Sequence, residues 1–126
     1  DMVTEEFFND NFYKLLDATA EYAETQMKSS TFEKFYISFD VPGRRNYEKF
    51  FLTFIPDNAD SDRRIWRLEA NVRARWNQEY AVRQRLFVGT GDEVLRYLRK
   101  PDTEEELKNV IRQLDESSGH EHPRDQ

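Results

Sequence analysis

A chain of 126 residues is long enough to bury one hydrophobic core, and its net charge of −6 makes it acidic. It contains no cysteine, which excludes disulfides, thiolate catalysis and cysteine-based zinc or iron–sulfur sites. Aromatic residues reach 14% although only 37% of the residues are hydrophobic, which predicts a ring-rich core beneath a heavily charged surface.

The sequence shows neither a membrane anchor nor a secretory signal. Its longest strongly apolar run, residues 50–55, is interrupted by Thr53 and is far too short to cross a bilayer. The opening residues DMVTEEFFND lack the basic and apolar regions of a signal peptide. We therefore expect a cytoplasmic protein with no membrane partner.

Residues 4–28 predict one long amphipathic helix, which ends before Ser29 and Ser30. Apolar residues recur in it at spacings of three and four, on one stripe: Phe8, Phe12, Leu15, Leu16, Tyr22, Ala23 and Met27. Strand-like segments follow at 32–41, 47–55, 65–76 and 80–88. Because parallel neighbours need long crossovers, the short loops between these segments predict an antiparallel meander.

Alternation in the segment IWRLEANVRARW, residues 65–76, predicts a strand with one apolar and one polar face. Its even positions, from Trp66 to Trp76, are all apolar, so we expect both indoles in the core. The next strand fixes the register, because a slip of one residue would bring arginine onto the apolar side. The predicted pairs are Trp76 with Tyr80, Ala74 with Val82, Ala70 with Leu86 and Leu68 with Val88.

The same register predicts the neighbours on the polar face. Arg73 falls directly opposite Arg83, a like-charge pair that destabilises by about 0.2–1 kcal/mol unless other groups compensate. The other expected neighbours are Arg75 and Arg85 on the diagonals, Glu69 opposite Phe87, and Gln84 opposite Val72 on the apolar side.

Two short helices are predicted at the end of the domain. In GTGDEVLRYLRKP, Thr90 and Glu93 form a capping box and Pro101 is a stop. In DTEEELKNVIRQLDE, residues 102–116, one apolar stripe comprises Leu107, Val110, Ile111 and Leu114. The remainder, SSGHEHPRDQ, predicts a flexible tail.

The predicted fold class is therefore α+β, in the order α-β-β-β-β-α-α. The long N-terminal helix packs on a four-stranded antiparallel meander, and two short C-terminal helices follow. A single domain is expected over residues 1–116 and a tail over 117–126.

The sequence predicts no catalytic residue, cofactor or metal site, so we expect a protein that is not an enzyme. Its only histidines, His120 and His122, lie in the predicted tail, so the domain cannot build a histidine-based triad. The fragment GTGD, residues 89–92, lacks the lysine of a phosphate loop and is interpreted as a helix cap. Near the arginines, Glu69 suits an ion pair better than a general acid.

Charge is distributed unevenly along the chain. Residues 1–30 have seven acids and two bases, residues 31–90 have eight acids and eleven bases, and residues 91–126 have ten acids and six bases. All seven bases between residues 60 and 90 are arginine, whose planar fork favours carboxylate or phosphate. These arginines either pair with acids of the same domain, such as Glu48, Glu69 and 104–106, or form an anion-binding surface.

The expected function is non-enzymatic protein binding by charge-complementary docking. An acidic partner would contact the arginine face, and a basic partner the acidic helices. The candidate partner-binding residues are Arg67, Glu69, Arg73, Arg75, Arg83 and Arg85. Small acidic α+β proteins without a catalytic site are common among immunity proteins that neutralise a toxin and among secretion chaperones.

Two alternative functions remain open at this point. An RNA-binding protein would use the arginine face, although the net charge of −6 opposes phosphate and only Phe87 is predicted there for base stacking. A small-ligand carrier or enzyme would need a pocket between the first helix and the sheet. The chain is expected to be a monomer or an edge-paired homodimer.

Overall fold

The computed structural model describes residues 13–40, 47–58, 63–74 and 80–110, and it confirms the predicted α+β order. The helices are α1 (Tyr13–Met27), α2 (Gly91–Leu98) and α3 (101–110), and the strands are β1 (Phe35–Asp40), β2 (Tyr47–Pro56), β3 (Ile65–Ala74) and β4 (Tyr80–Thr90). The strands form an antiparallel sheet in the order β1-β2-β3-β4, which is the predicted meander. The predicted helix start, the end of the third strand, part of the last helix and the tail lie outside the described residues.

The helices cover one face of the sheet, called the inner face here. Even-numbered residues of β2 and β3 supply its buried side chains, and helical residues complete the core: Leu16, Ala20, Ala23, Met27, Phe50, Leu52, Phe54, Trp66, Leu68, Ala70, Val94, Leu95, Tyr97, Leu98, Leu107 and Val110. Trp66 is 1% exposed, as its even position predicted, and its ring packs edge-on to Phe32 with centroids 4.9 Å apart. Trp76 lies outside the described residues.

The C-terminal end of α1 is held by Arg64, which lies just before β3. Its guanidinium donates to the carbonyl oxygens of Met27, Ser29 and Ser30 at 3.3, 2.9 and 3.1 Å. It also lies 5.2 Å from the centre of the Phe32 ring. Carbonyls at the end of a helix lack partners within the helix, so a cation here both satisfies them and opposes the dipole. Arg64, one of the seven arginines between residues 60 and 90, is thus a structural cap.

The start of α2 has the predicted capping box. The Thr90 hydroxyl accepts from the Glu93 amide at 3.3 Å, and the Glu93 carboxylate accepts from the Thr90 amide at 2.9 Å. That backbone hydrogen bond lowers the pKa of Glu93. A side chain in place of Gly89 would displace the capping carboxylate, because a Cβ there would lie 2.7 Å from Oε1 of Glu93 and 2.9 Å from the Phe87 ring.

The predicted register between β3 and β4 is wrong. The observed Cα partners include Leu68 with Phe87, Glu69 with Arg85, Ala70 with Gln84, Asn71 with Arg83, and Arg73 with Tyr80. The pairing shifts between Leu68 and Glu69, so that Leu86 is an extra residue in β4. A second shift follows Val72. Such bulges break the period of two on which the predicted register depended. Arg73 and Arg83 are therefore not opposite each other.

The bulge also reverses two predicted side-chain positions, those of Phe87 and Val88. Phe87, predicted on the arginine face, packs against the core and stacks on Tyr97 with ring centroids 5.0 Å apart. Val88, predicted in the core, pairs with Arg67 and is 40% exposed. Gln84 is exposed, so it needs no buried partner. One inserted residue accounts for Phe87 and Val88, because it moves the side chains that follow it to the opposite face. Gln84 precedes the bulge and stays opposite Ala70, on the predicted side.

Candidate partner-binding face

The face opposite the helices, called the outer face here, has buried side chains at its centre and exposed side chains toward its edges. Phe51 and Asn71 are buried there, and the Thr53 hydroxyl donates to Oδ1 of Asn71 at 2.8 Å. On the edge strand β1, Tyr36 is 60% exposed and packs edge-on to Phe51, with centroids 5.5 Å apart. On the other edge strand, β4, the arginines are exposed. A partner would therefore meet the edges of this face first.

Arg67 is fixed between two carboxylates. Its Nε donates to Oε2 of Glu69 at 2.9 Å, and its terminal nitrogen donates to Oδ1 of Asp57 at 2.9 Å. Asp57 is in place because β2 ends beside the start of β3, where the Asp57 amide donates to the Ile65 carbonyl at 2.8 Å. The hydrogen bond that Arg67 donates to Glu69 raises the pKa of Arg67, which stays fully charged. Internal ion pairing is therefore observed for this arginine.

Glu69 is shared with the neighbouring strand. Its carboxylate is 12% exposed, and Oε1 lies 3.8 Å from Nε of Arg83, whose side chain is 65% exposed. Arg85 is the Cα partner of Glu69 and is also exposed, with no ion-pair partner among the described residues. One carboxylate thus lies beside three arginines. Arg67 has the shortest contact with this carboxylate, and the side chains of Arg83 and Arg85 are exposed along β4.

The structure brings together four of the six predicted site residues: Arg67, Glu69, Arg83 and Arg85. The side chains of the other two, Arg73 and Arg75, lie outside the described residues, as does that of Glu48, one of the predicted acidic partners. Two of the proposed helical acids have other contacts. Glu104 lies 3.4 Å from Lys108, and Glu106 accepts a hydrogen bond from the Tyr97 hydroxyl. Neither contact reaches the arginine face.

A second basic cluster, consisting of Arg96, Arg99 and Lys100, lies at the end of α2. All three side chains are exposed, and Nε of Arg99 lies 3.5 Å from Oδ1 of Asp17 on α1. Sequence analysis missed this cluster because the acidic total of residues 91–126 hid it. The spacing of three and four residues, which places these side chains on one helical face, was the available signal.

A cavity with a volume of about 510 Å³ lies between α1 and the turn from α2 to α3. Among the described residues, its lining comprises Leu16, Asp17, Leu98, Arg99, Lys100, Pro101 and Glu104. The predicted alternative had placed a pocket between the first helix and the sheet. The described α1 side chains that enter the core there, such as Ala20 and Ala23, are completely buried. The cavity therefore belongs to the helical layer.

Tyr97 links α2 to α3 beside the second basic cluster. Its hydroxyl donates to Glu106, and its backbone carbonyl accepts from the Thr103 hydroxyl. Burial, followed by the hydrogen bond to Glu106, raises the pKa of Tyr97.

Within the described residues no group of three or more potential metal ligands occurs. None of the described helices combines the length and apolar character needed for a bilayer crossing.

No protein-family model, curated protein or solved structure matches this chain significantly. The function is therefore argued from the geometry of the outer face and from the charges that surround it.

Proposed function

We propose that the chain is a non-enzymatic protein-binding module of the cytoplasm, which docks an acidic segment of a partner protein on the β4 side of its outer face. The observation that carries this proposal is the exposure of Arg83 and Arg85, two positions apart on an edge strand. Side chains two positions apart on a strand point to the same side. An extended segment with acids at alternate positions would meet both guanidinium groups.

The surroundings of these two arginines suit a protein surface. Arginine and tyrosine are enriched among residues that contribute most to protein–protein binding, and Tyr36 is exposed at the opposite edge of the same face. Val88 adds exposed apolar surface on the arginine strand itself. A partner that supplies carboxylates for the arginines and apolar contacts for Val88 and Tyr36 would complement the face.

Docking by charge suits two classes of small acidic protein. An immunity protein neutralises a toxin by covering its functional surface, and a secretion chaperone holds its cargo. Both act by binding alone, which fits a face that has charged and aromatic groups and on which the partly buried carboxylate of Glu69 is held by Arg67. Electrostatic complementarity would mainly speed association and exclude wrong partners.

The same arginines disfavour self-association through β4. Antiparallel pairing of two β4 edges would bring Arg83 and Arg85 close to their counterparts in the second copy, and facing like charges destabilise a strand pair. Charged side chains on an edge strand commonly prevent such pairing. We therefore propose a monomer that is free to dock a different chain.

The test uses short labelled peptides in which glutamate or lysine alternates with threonine, and fluorescence anisotropy as the readout. The glutamate peptide should bind the wild-type chain and the lysine peptide should not. The double variant Arg83→Glu/Arg85→Glu should weaken binding about 20-fold, at about fivefold for each lost arginine–carboxylate contact. The control Arg96→Glu/Arg99→Glu makes the same charge change on the helical layer and should leave binding within about twofold.

Three outcomes would count against the proposal. The glutamate peptide could fail to bind, or both double variants could weaken it equally, which would indicate attraction by net charge alone. Oligouridine could bind more tightly than the peptide, with an affinity that falls steeply as salt rises. That last result would support the RNA-binding alternative, for which Tyr36 offers one exposed ring.

A further inference from the structure

The cavity on the helical layer has the size and floor of a small-molecule site. Its volume of about 510 Å³ falls within the usual range for ligand pockets, about 300–1,000 Å³. Its apolar floor consists of Pro101, which is exposed at the start of α3, beside Leu16 of α1 and Leu98 of α2, which are only 3% and 1% exposed. A ligand with an apolar body would therefore bury hydrocarbon against this floor.

Some of the charged side chains that line the cavity have an oppositely charged neighbour, and one does not. Asp17 lies 3.5 Å from Arg99, and Glu104 lies 3.4 Å from Lys108, so each acid of the lining has a cation beside it. Lys100 also lines the cavity, is exposed, and has no ion-pair partner among the described residues. One positive charge thus remains available next to apolar surface.

We propose that this cavity binds a small monocarboxylate with an apolar body. The carboxylate would contact Lys100, with Arg99 as a second cation in the lining, while the body covers Pro101 next to Leu16 and Leu98. A free phosphate fits less well, because it would leave the apolar floor uncovered. An amine would meet the ammonium group of Lys100 and be repelled.

This site is independent of the proposed docking face. It is built from α1, α2 and α3, which pack on the inner face, whereas Arg83 and Arg85 lie on the outer face. Variants at one site therefore leave the other intact, and either proposal can fail alone.

The test compares three probes that share one body and differ in their head group: 4-phenylbutyrate, 4-phenylbutanol and 4-phenylbutylamine. Methyl-labelled protein reports binding through the carbon–proton resonances of Leu16 and Leu98. We expect 4-phenylbutyrate to shift both residues in a saturable way, with a dissociation constant of about 1 mM for so small a ligand. The alcohol should bind about fivefold more weakly, and the amine more weakly still.

Two substitutions test the role of Lys100. Lys100→Gln should weaken 4-phenylbutyrate about fivefold and make the acid and the alcohol equal. Lys100→Glu should reverse the order, so that the amine binds best. The matched control is Lys34→Gln, which removes an exposed lysine next to β1 and should change nothing.

Several results would overturn this inference. Absence of saturable shifts with all three probes would show that the cavity is not a ligand site. Equal binding of the three probes, or preference for the amine by the wild-type chain, would refute the assignment to carboxylates. If Lys34→Gln weakened the binding of 4-phenylbutyrate as much as Lys100→Gln does, the effect would come from the net charge of the chain and not from this site.

Discussion

The ion pair between Arg67 and Glu69 offers a quantitative test of the outer face. The two side chains are 26% and 12% exposed, and the distance from Nε to Oε2 is 2.9 Å. Exposed pairs contribute about 0.2–1 kcal/mol, and hydrogen bonds to charged groups about 1.5–3 kcal/mol. A pair that is mostly withdrawn from water lies between these ranges, so we expect a coupling energy of about 1.5 kcal/mol.

Glu69 supplies its own comparison, because Arg83 contacts the same carboxylate more weakly. That distance is 3.8 Å and the Arg83 side chain is 65% exposed, so a coupling of only about 0.3 kcal/mol is expected. Two double-mutant cycles measure these energies by urea unfolding. One combines Arg67→Met with Glu69→Gln, and the other combines Arg83→Met with Glu69→Gln.

The two cycles can refute the geometry directly. Equal couplings would mean that Glu69 does not distinguish its two arginines, and the difference between the contacts at 2.9 and 3.8 Å would have no energetic counterpart. A coupling below about 0.5 kcal/mol for Arg67 would show that its ion pairs contribute no more than an exposed pair. Added salt should reduce the Arg83 coupling proportionally more than the Arg67 coupling, because exposed charges are screened more effectively.

Two further predictions concern stability. Arg64→Ala should lower the free energy of unfolding by about 2 kcal/mol, because the carbonyls of Met27, Ser29 and Ser30 lose their donor and the contact with Phe32 is lost. Arg64→Lys should restore less than about 1 kcal/mol of this loss, as measured by thermal unfolding. Equal stability of the wild type and both variants would contradict the role of Arg64 as a cap. Burial and the hydrogen bond to Glu106 raise the pKa of Tyr97 in the folded chain above its ordinary value of 10.0, so the unfolded chain releases this proton first and stability should fall as pH rises above about 10. Urea unfolding of Tyr97→Phe should show a shallower decline over that interval, and parallel curves for the two proteins would show that Tyr97 is not the group responsible.

Element types, their order and the buried side of β3 were determined by sequence alone. The alternation of residues 65–76 placed Trp66 and Leu68 in the core, and the capping box of Thr90 and Glu93 marked the start of α2. These features follow from local rules, because a helix or strand repeats its side-chain direction at a fixed period and a cap needs only residues three positions apart. Of the candidate site, sequence alone placed Arg67 and Glu69 together on the polar face of β3.

Tertiary structure decided the contacts that periodicity does not record. The extra residue at Leu86 shifted the β3–β4 register, turned Phe87 inward and placed Arg85 opposite Glu69. Arg64 became a helix cap only because the chain brings it to carbonyls more than thirty residues earlier. The cavity beside Lys100 likewise exists only where α1 meets the turn between α2 and α3. The physical reason is shared: a bulge, a long-range cap and a cavity depend on how separate elements pack, and a local pattern contains no information about its distant neighbours.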